Sequence, residues 1–145
     1  MKTFFVWSGA IVGALIAALV LVTVIGALLP MKHVASRTET FAVPPQRLWD
    51  LAMAQFHKTN DGTYAIVEQS PPHRFVTAIV KKGLPFGGTW TYEFAPQGSG
   101  TTLTITERGE VYNPFFRFVS RFVMGHTRSI DELMAALRAA TEARS

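Results

Sequence analysis

A long N-terminal run without charge constrains this chain more than any other feature. No charged side chain occurs from Phe4 to Leu29, and Lys2 is the only one among the first 31 residues. A helix needs about 20 predominantly apolar residues to cross the hydrocarbon core of a bilayer. The run exceeds that length and ends at Pro30, which is unable to continue a helix. It predicts a transmembrane anchor over residues 1–31, followed by a separate domain over residues 32–145.

A cleaved signal peptide is the alternative interpretation of this run. The apolar region of a signal peptide is only about 7–15 residues long, although Val34–Ser36 resembles a cleavage site. We therefore expect a retained helix and a single-pass membrane protein. Lys2 flanks one end of the helix, and Lys32 and Arg37 flank the other. The positive charges on the two sides of the helix are thus nearly balanced, so the positive-inside rule favours a cytoplasmic domain only slightly.

Small residues recur at every fourth position of the anchor, at Gly9, Gly13 and Ala17. This spacing lets two helices approach closely in lipid and is typical of helix self-association. Small residues are also common in membrane spans in general. Self-association through these residues and a monomeric anchor therefore both remain open.

The composition of the domain excludes several classes of function. The chain has no cysteine, which rules out disulfides, thiolate metal sites and a cysteine nucleophile. Without Lys2, 13 basic residues stand against 10 acidic ones, a mild excess with no dense patch and no nucleic-acid-binding module. We expect no nucleic-acid partner. His33, His57 and His73 show no metal-ligand spacing, so we expect no metal and no other cofactor.

The pattern of the domain is strand, helix, several strands and a long helix. Residues 33–43 favour a first strand, Pro44–Pro45 opens a helix, and residues 60–62 form a turn. Further strands are predicted over residues 63–69, 74–81, 89–94 and 101–107, with a glycine-rich loop at 83–88 and a hairpin loop at 97–100. Alternating apolar residues in the later strands indicate an antiparallel sheet with one covered face.

The last predicted element is a long C-terminal helix that begins at Asn113-Pro114, a favourable cap and first residue. Gly125 is expected to loosen it midway. One apolar stripe runs along the whole helix, through Phe115, Phe118, Val119, Phe122, Val123, Ile130, Leu133, Met134 and Leu137. Arg117, Arg121 and Arg128 lie off this stripe, where they suit either anionic lipid headgroups or a solvated helix face.

Three stretches, Leu84–Tyr92, Thr104–Glu107 and Gly109–Phe118, resemble the START/Bet v 1-like (SRPBCC) superfamily. Phe41–Asp50 fits the same pattern, a strand leading through two prolines into a helix. The most similar branch is the bacterial polyketide cyclase/dehydrase group, which includes members with one N-terminal membrane helix.

The resemblance implies an α+β helix-grip fold: a curved antiparallel sheet around a long C-terminal helix, with an apolar cavity between them. It also implies a lipid or another hydrophobic small molecule as the ligand. Here the fold follows one transmembrane helix. It is also shortened in the middle, since only Met53–Pro72 fills a region in which the family commonly has two more strands and a short helix.

The predicted interior supplies the candidate ligand-binding residues. The inward side chains form either a packed core or the lining of a cavity, and the same residues are involved in both cases. They are Phe75, Ile79, Trp90, Tyr92, Phe94, Leu103, Ile105, Phe118 and Phe122.

Two residues are weak candidates for catalysis. Glu107 is in phase with Leu103 and Ile105, so alternation places its carboxylate on the covered face, where burial would suit it to proton transfer. The alternatives are a bulge near Gly109 that turns Glu107 to solvent, and a pairing of Glu107 with Arg108 or Arg121. His126 lies near the stripe of the long helix, where a lone histidine more often has a structural role than a catalytic one. Ser129 has no nucleophile context.

Three functions are compatible with the sequence. We favour a membrane-anchored binding module for a lipid or another hydrophobic small molecule, with no reaction. A cyclase/dehydrase-type enzyme that uses Glu107 or His126 is the second. The third is a membrane protein that binds a partner protein and no small ligand.

Overall fold

The computed structural model describes residues 2–125 and 127–143. His126 lies outside the described residues. The helices are α1 (Lys2–Leu28), α2 (Pro45–Thr59), α3 (Pro114–Val119) and α4 (Arg128–Glu142), with a π-helical turn at Ser120–Met124. The strands are β1 (Lys32–Phe41), β2 (Tyr64–Ser70), β3 (Arg74–Ile79), β4 (Phe86–Gln97) and β5 (Gly100–Val111).

Helix α1 stands apart from the domain over most of its length. Its segment Trp7–Leu28 is long and apolar enough to cross a bilayer, and its large apolar side chains are mostly exposed. Among residues 7–28, whose side chains are described, only those of the last turns are covered, where α1 packs against α3.

The five strands form one antiparallel sheet in the order β1-β5-β4-β3-β2. Its register brings one end of every strand to the same edge of the domain. Lys32 and Gly87 both pair with Glu110, and Tyr64 pairs with Ile79. Because α1 leads into β1 at this edge, we call it the anchor end of the sheet.

Helices α2 and α4 cover one face of the sheet. Each buries residues at helical spacing: Leu48, Trp49 and Ala52 in α2, and Ile130, Met134 and Leu137 in α4. They pack on the inward side chains of the strands, including Phe41, Phe75, Tyr92, Phe94, Leu103 and Ile105. The opposite face is rich in threonine, and pairs such as Thr38–Thr104 hydrogen-bond across the strands there. The predicted α+β fold with one covered sheet face is confirmed.

The long C-terminal helix of the prediction is divided. Asn113 caps α3 as expected, since its side chain accepts hydrogen bonds from the backbone of Phe115 and Phe116. The helix ends after Met124, where Gly125 has a φ of 74°. That conformation suits glycine and is incompatible with a continuing helix. Only α4 packs in the core, because no residue of α3 or of the π-helical turn is buried.

The strands around the predicted glycine-rich loop extend further than expected. The loop was predicted over residues 83–88, but β4 begins at Phe86, and Gly87 and Gly88 pair with Glu110 and Gly109 of β5. Likewise β5 reaches Val111 rather than ending at Glu107. Glycine carries no side chain that reveals a strand pattern, so alternation alone ends these strands too early.

Candidate functional site

A cavity lies between the sheet and the two covering helices. Its volume is about 180 Å³. Helices α2 and α4 and strands β2 to β5 all contribute to its wall. The lining residues are Ala52, Phe56, Thr59, Asn60, Tyr64, Phe75, Thr77, Trp90, Tyr92, Ile105, Ser129, Ile130 and Leu133.

The more exposed lining residues mark the mouth of this cavity. Thr59 at the end of α2 and Ser129 in the first turn of α4 are exposed, whereas Asn60 and Tyr64 are half-buried. Tyr64 pairs with Ile79 at the anchor end of the sheet. The mouth is therefore built from residues at the anchor end of the domain.

Aromatic rings form much of the wall. Phe75 and Tyr92 are stacked, with ring centroids 4.1 Å apart. Tyr64 and Trp90 meet edge to face at 5.2 Å. Such contacts between large flat side chains hold the wall in place and leave an apolar surface toward the cavity.

Two tyrosines bring neutral hydroxyl groups to the apolar wall. Burial raises the pKa of Tyr92 to about 12, against the smaller opposing effect of a hydrogen bond with Thr77. Burial also raises the pKa of Tyr64, and the negative charge of Glu107 adds to that effect. Both phenols are uncharged at neutral pH, so each offers one donor and an acceptor oxygen.

Glu107 lies beside this cavity, behind two of its lining residues. It is only 8% exposed. One carboxylate oxygen accepts hydrogen bonds from Trp90 Nε1 at 2.9 Å and from Ser129 Oγ at 3.0 Å. The other oxygen lies 3.2 Å from Nε2 of His33. A buried carboxylate is tolerated when its lone pairs are satisfied in this way.

The strand register explains why these groups meet. Glu107 pairs with Ala35 of β1 on one side and with Trp90 of β4 on the other. His33 lies two residues before Ala35, so its ring is on the same face of the sheet. Its partner is Gly109, and a Cβ at that glycine would overlap the His33 ring. The missing side chain at Gly109 therefore gives His33 access to Glu107.

Of the two catalytic candidates, only Glu107 falls within the described residues. It lies on the covered face, is almost fully buried, and has His33, Trp90 and Ser129 as its hydrogen-bond partners rather than an arginine. A role in catalysis stays a prediction. The sequence around Ser129 excludes a nucleophile and indicates no other role for this residue. In the structure, however, Ser129 lines the cavity and its hydroxyl donates to Glu107.

The predicted ligand-binding residues divide into two groups. Four of them line the cavity: Phe75, Trp90, Tyr92 and Ile105. The other five are not in its wall: Phe94 and Leu103 are buried in the core, Ile79 is half-buried at the end of β3, and Phe118 and Phe122 lie outside the core in α3 and the π-helical turn. The last two are displaced because the C-terminal helix is divided at Gly125.

The described residues contain no group of three or more histidine, aspartate or glutamate side chains placed to hold a metal ion. The cavity wall, within the same part of the chain, contains no charged side chain. The chemistry available to a bound molecule at this site is therefore apolar contact and hydrogen bonding to uncharged groups.

Comparison with known proteins relates this chain to others by fold alone. No family model and no curated protein matches it. Among solved structures, a START superfamily protein from Mycobacterium smegmatis aligns with a TM-score of 0.56 at 16% identity, covering 78% of this chain and 99% of that one. A conserved protein from Geobacillus kaustophilus aligns with a TM-score of 0.60 at 12% identity, covering 76% and 95%.

A third similar structure is the Mll3558 protein from Rhizobium loti, with a TM-score of 0.54 at 17% identity and coverage of 73% and 96%. These alignments cover nearly the whole of each relative. In this chain the domain that follows α1 contains a five-stranded antiparallel sheet with the C-terminal helix α4 packed on its covered face. The chain has the START/Bet v 1-like helix-grip fold.

Proposed function

We propose that this protein is a membrane-anchored module that binds a small, uncharged, largely apolar molecule between its sheet and its C-terminal helix. The observation that carries the proposal is the cavity of about 180 Å³, with an aromatic and aliphatic wall and a few uncharged polar groups. Pockets for small molecules commonly combine these two features.

The size of the cavity limits the ligand. An engineered apolar cavity of about 150 Å³ binds benzene. A cavity of 180 Å³ therefore suits one ring with a few substituents, or a short acyl segment, of about 10 non-hydrogen atoms. A larger lipid would place only part of its structure inside.

The wall also limits the charge of the ligand. Tyr64, Tyr92, Thr77 and Ser129 offer hydroxyl groups, and none of the lining residues carries a charge to neutralise an ion. The carboxylate of Glu107 behind the wall disfavours an anion. We expect a ligand with one or two hydroxyl or carbonyl groups and no net charge.

The membrane anchor gives this binding module a source of ligand. Helix α1 has the length and composition of a membrane span, and the mouth of the cavity lies at the anchor end of the sheet. A tether holds the module at a high effective concentration near molecules dissolved in the bilayer. This arrangement favours an apolar ligand taken from the membrane.

The cyclase/dehydrase-type reaction has weaker support. Proton transfer needs the acid or base within hydrogen-bond reach of the substrate. Glu107 is not in the cavity wall, and its oxygens already accept hydrogen bonds from Trp90, Ser129 and His33. A substrate would have to displace Trp90 or Ser129 first. We therefore favour binding without reaction.

Filling the cavity should weaken binding. Ala52 is buried in α2 and lines the cavity, whereas Ala54, on the same helix, is exposed. In the full chain in detergent micelles, we expect Ala52→Leu to weaken binding of p-cresol at least about tenfold, because the added methylene groups occupy its space. Ala54→Leu should leave the affinity unchanged. Binding is measured by NMR from the shift of the Trp90 indole N–H resonance.

Two results would contradict the proposal. One is a p-cresol titration that leaves the Trp90 indole resonance unmoved. The other is equal affinity in both variants, which would place the p-cresol site elsewhere. Benzoate, which is similar in size but anionic, should bind more weakly than p-cresol because the wall provides no cation.

A further inference from the structure

We propose that residues 114–124, which we call the interfacial segment, lie in the same bilayer leaflet as the last turns of α1 and form a second membrane contact of the domain. This inference rests on the membrane anchoring in the proposed function. It adds a site that no part of the binding proposal needs.

The interfacial segment packs against the C-terminal turns of α1. Gly26 is buried under Pro114, and a Cβ at Gly26 would overlap the carbonyl oxygen of Pro114. On the same side of α1, Val22 and Leu29 are partly covered, and α3 is the element that packs there. Along the axis of α1, Val22 lies about 9 Å from Leu28, the last residue of the helix. The contact with α3 therefore falls at the depth of about 5–10 Å below the membrane surface at which interfacial helices lie.

Several exposed side chains of the interfacial segment are large and apolar. Phe116 is 44% exposed, Phe122 60%, Val123 72% and Met124 55%, and no residue of α3 or of the π-helical turn is buried. Large exposed apolar side chains concentrated in one short segment mark an interaction surface. Its continuity with a helix that has the character of a membrane span identifies the bilayer as the occupant.

Three cationic side chains lie at the level expected for the headgroups, two of them in the interfacial segment and one at the start of β1. Arg117, Arg121 and Lys32 meet at a small crevice beside Pro30 and Met31, at the end of α1. Arg117 donates to backbone carbonyls at the end of β5, and Lys32 lies 3.3 Å from Glu110. Long cationic side chains extend from an apolar region toward anionic headgroups. The charge at this level therefore complements a phospholipid surface.

Together these contacts would hold the domain against the membrane at two points rather than on a flexible tether. Met31 lies between the end of α1 and the start of β1, and Val111 ends β5 just before the interfacial segment. The backbone N–H of Val111 donates to the carbonyl of Met31 at 2.9 Å, so the two membrane contacts are joined at their bases. The anchor end of the sheet would then face the bilayer.

Single-cysteine spin labelling tests this placement, because the natural chain has no cysteine. Val123→Cys, Leu19→Cys and Ser99→Cys are prepared in the full chain, labelled with a nitroxide and reconstituted in nanodiscs that contain phosphatidylcholine and phosphatidylglycerol. Leu19 is an exposed residue of α1, and Ser99 is exposed in the hairpin at the opposite end of the sheet. Each label is read by its collisions with oxygen and with a water-soluble nickel chelate.

We expect the label at residue 123 to collide with oxygen and to be shielded from nickel, as at residue 19, while the label at residue 99 is open to nickel. A nickel-accessible label at residue 123 with a shielded one at residue 19 would overturn this inference alone. A nickel-accessible label at residue 19 would overturn membrane anchoring itself. Shielding at residue 123 that persists in lipid-free detergent and depends on protein concentration would indicate a second copy instead of the bilayer. Met124→Cys repeats the test at a second position if Val123→Cys folds poorly.

Discussion

Glu107 connects four elements of the domain through one carboxylate. It belongs to β5 and contacts His33 of β1, Trp90 of β4 and Ser129 of α4. The hydrogen bond from Ser129 fixes the first turn of α4 against the sheet. Because Ser129 is also part of the mouth of the cavity, Glu107 positions one part of the cavity wall without lining the cavity itself.

Replacing this carboxylate should destabilise the domain. Glu107→Gln keeps the size of the side chain but turns one acceptor into a donor. In one orientation the amide nitrogen faces the donors Trp90 Nε1 and Ser129 Oγ, and in the other it faces His33 Nε2, which accepts a hydrogen bond only if the imidazole changes tautomer. We expect the free energy of unfolding to fall by about 1–3 kcal/mol, the cost of leaving buried donors without an acceptor. Urea unfolding of the full chain in detergent, followed by tryptophan fluorescence, measures it.

The matched control is Glu110→Gln, on the same strand at the anchor end, where the side chain is more exposed. It should change the free energy of unfolding by less than about 0.5 kcal/mol, as is usual for surface positions. Equal effects of the two substitutions would contradict the structural role assigned to Glu107.

For Glu107, the sequence predicts the face of the sheet on which the side chain lies, but not the residues to which it hydrogen-bonds. Alternation with Leu103 and Ile105 correctly places Glu107 on the covered face. His33 is 74 residues away along the chain, and only the β1–β5 register brings it to Glu107. The sequence provides no signal that selects one register among several, so the hydrogen-bonding cluster had to be read from the structure.

Among the elements, the divided C-terminal helix differs most from expectation. A single apolar stripe predicts one continuous helix, because α3 and α4 are both apolar at helical spacing. The two parts have different partners: α4 packs on the sheet, and α3 packs on α1. Periodicity shows which face of a helix is apolar, but it does not show whether a protein core or a bilayer covers that face.

The contact between α1 and α3 depends on one glycine. Gly26→Ala should displace the interfacial segment, because the added methyl group overlaps the backbone of Pro114. Overpacking of this kind costs about 1–3 kcal/mol. Since about 1.4 kcal/mol changes an opening equilibrium tenfold, we expect trypsin to cleave after Arg121 about tenfold faster. Cleavage is followed by mass spectrometry of the full chain in detergent.

Gly13→Ala is the control for this experiment. It lies in the same helix, and a Cβ there has no atom within 4 Å. Cleavage after Arg121 should remain at the rate of the unchanged protein. If Gly26→Ala also left the rate unchanged, the packing of α3 on α1 would not hold the segment in place.

In the whole molecule, the proposed membrane anchor and the cavity lie at the same end. The strand register brings the end of α1, the mouth of the cavity and the interfacial segment to the anchor end of the sheet. The resemblance to START/Bet v 1-like domains correctly predicts the fold. It does not predict the cavity volume, which depends on how α2 and α4 pack over the five-stranded sheet.

Native mass spectrometry of the full chain, released from detergent, tests whether the protein binds a small apolar molecule in its cavity. We predict a bound uncharged molecule of roughly 100–200 Da, consistent with about 10 non-hydrogen atoms in the cavity. The molecule should be retained by Ala54→Leu and lost from Ala52→Leu, because only the second substitution fills the cavity. A bare protein mass that no added p-cresol changes, or a bound molecule that survives Ala52→Leu, would contradict the account.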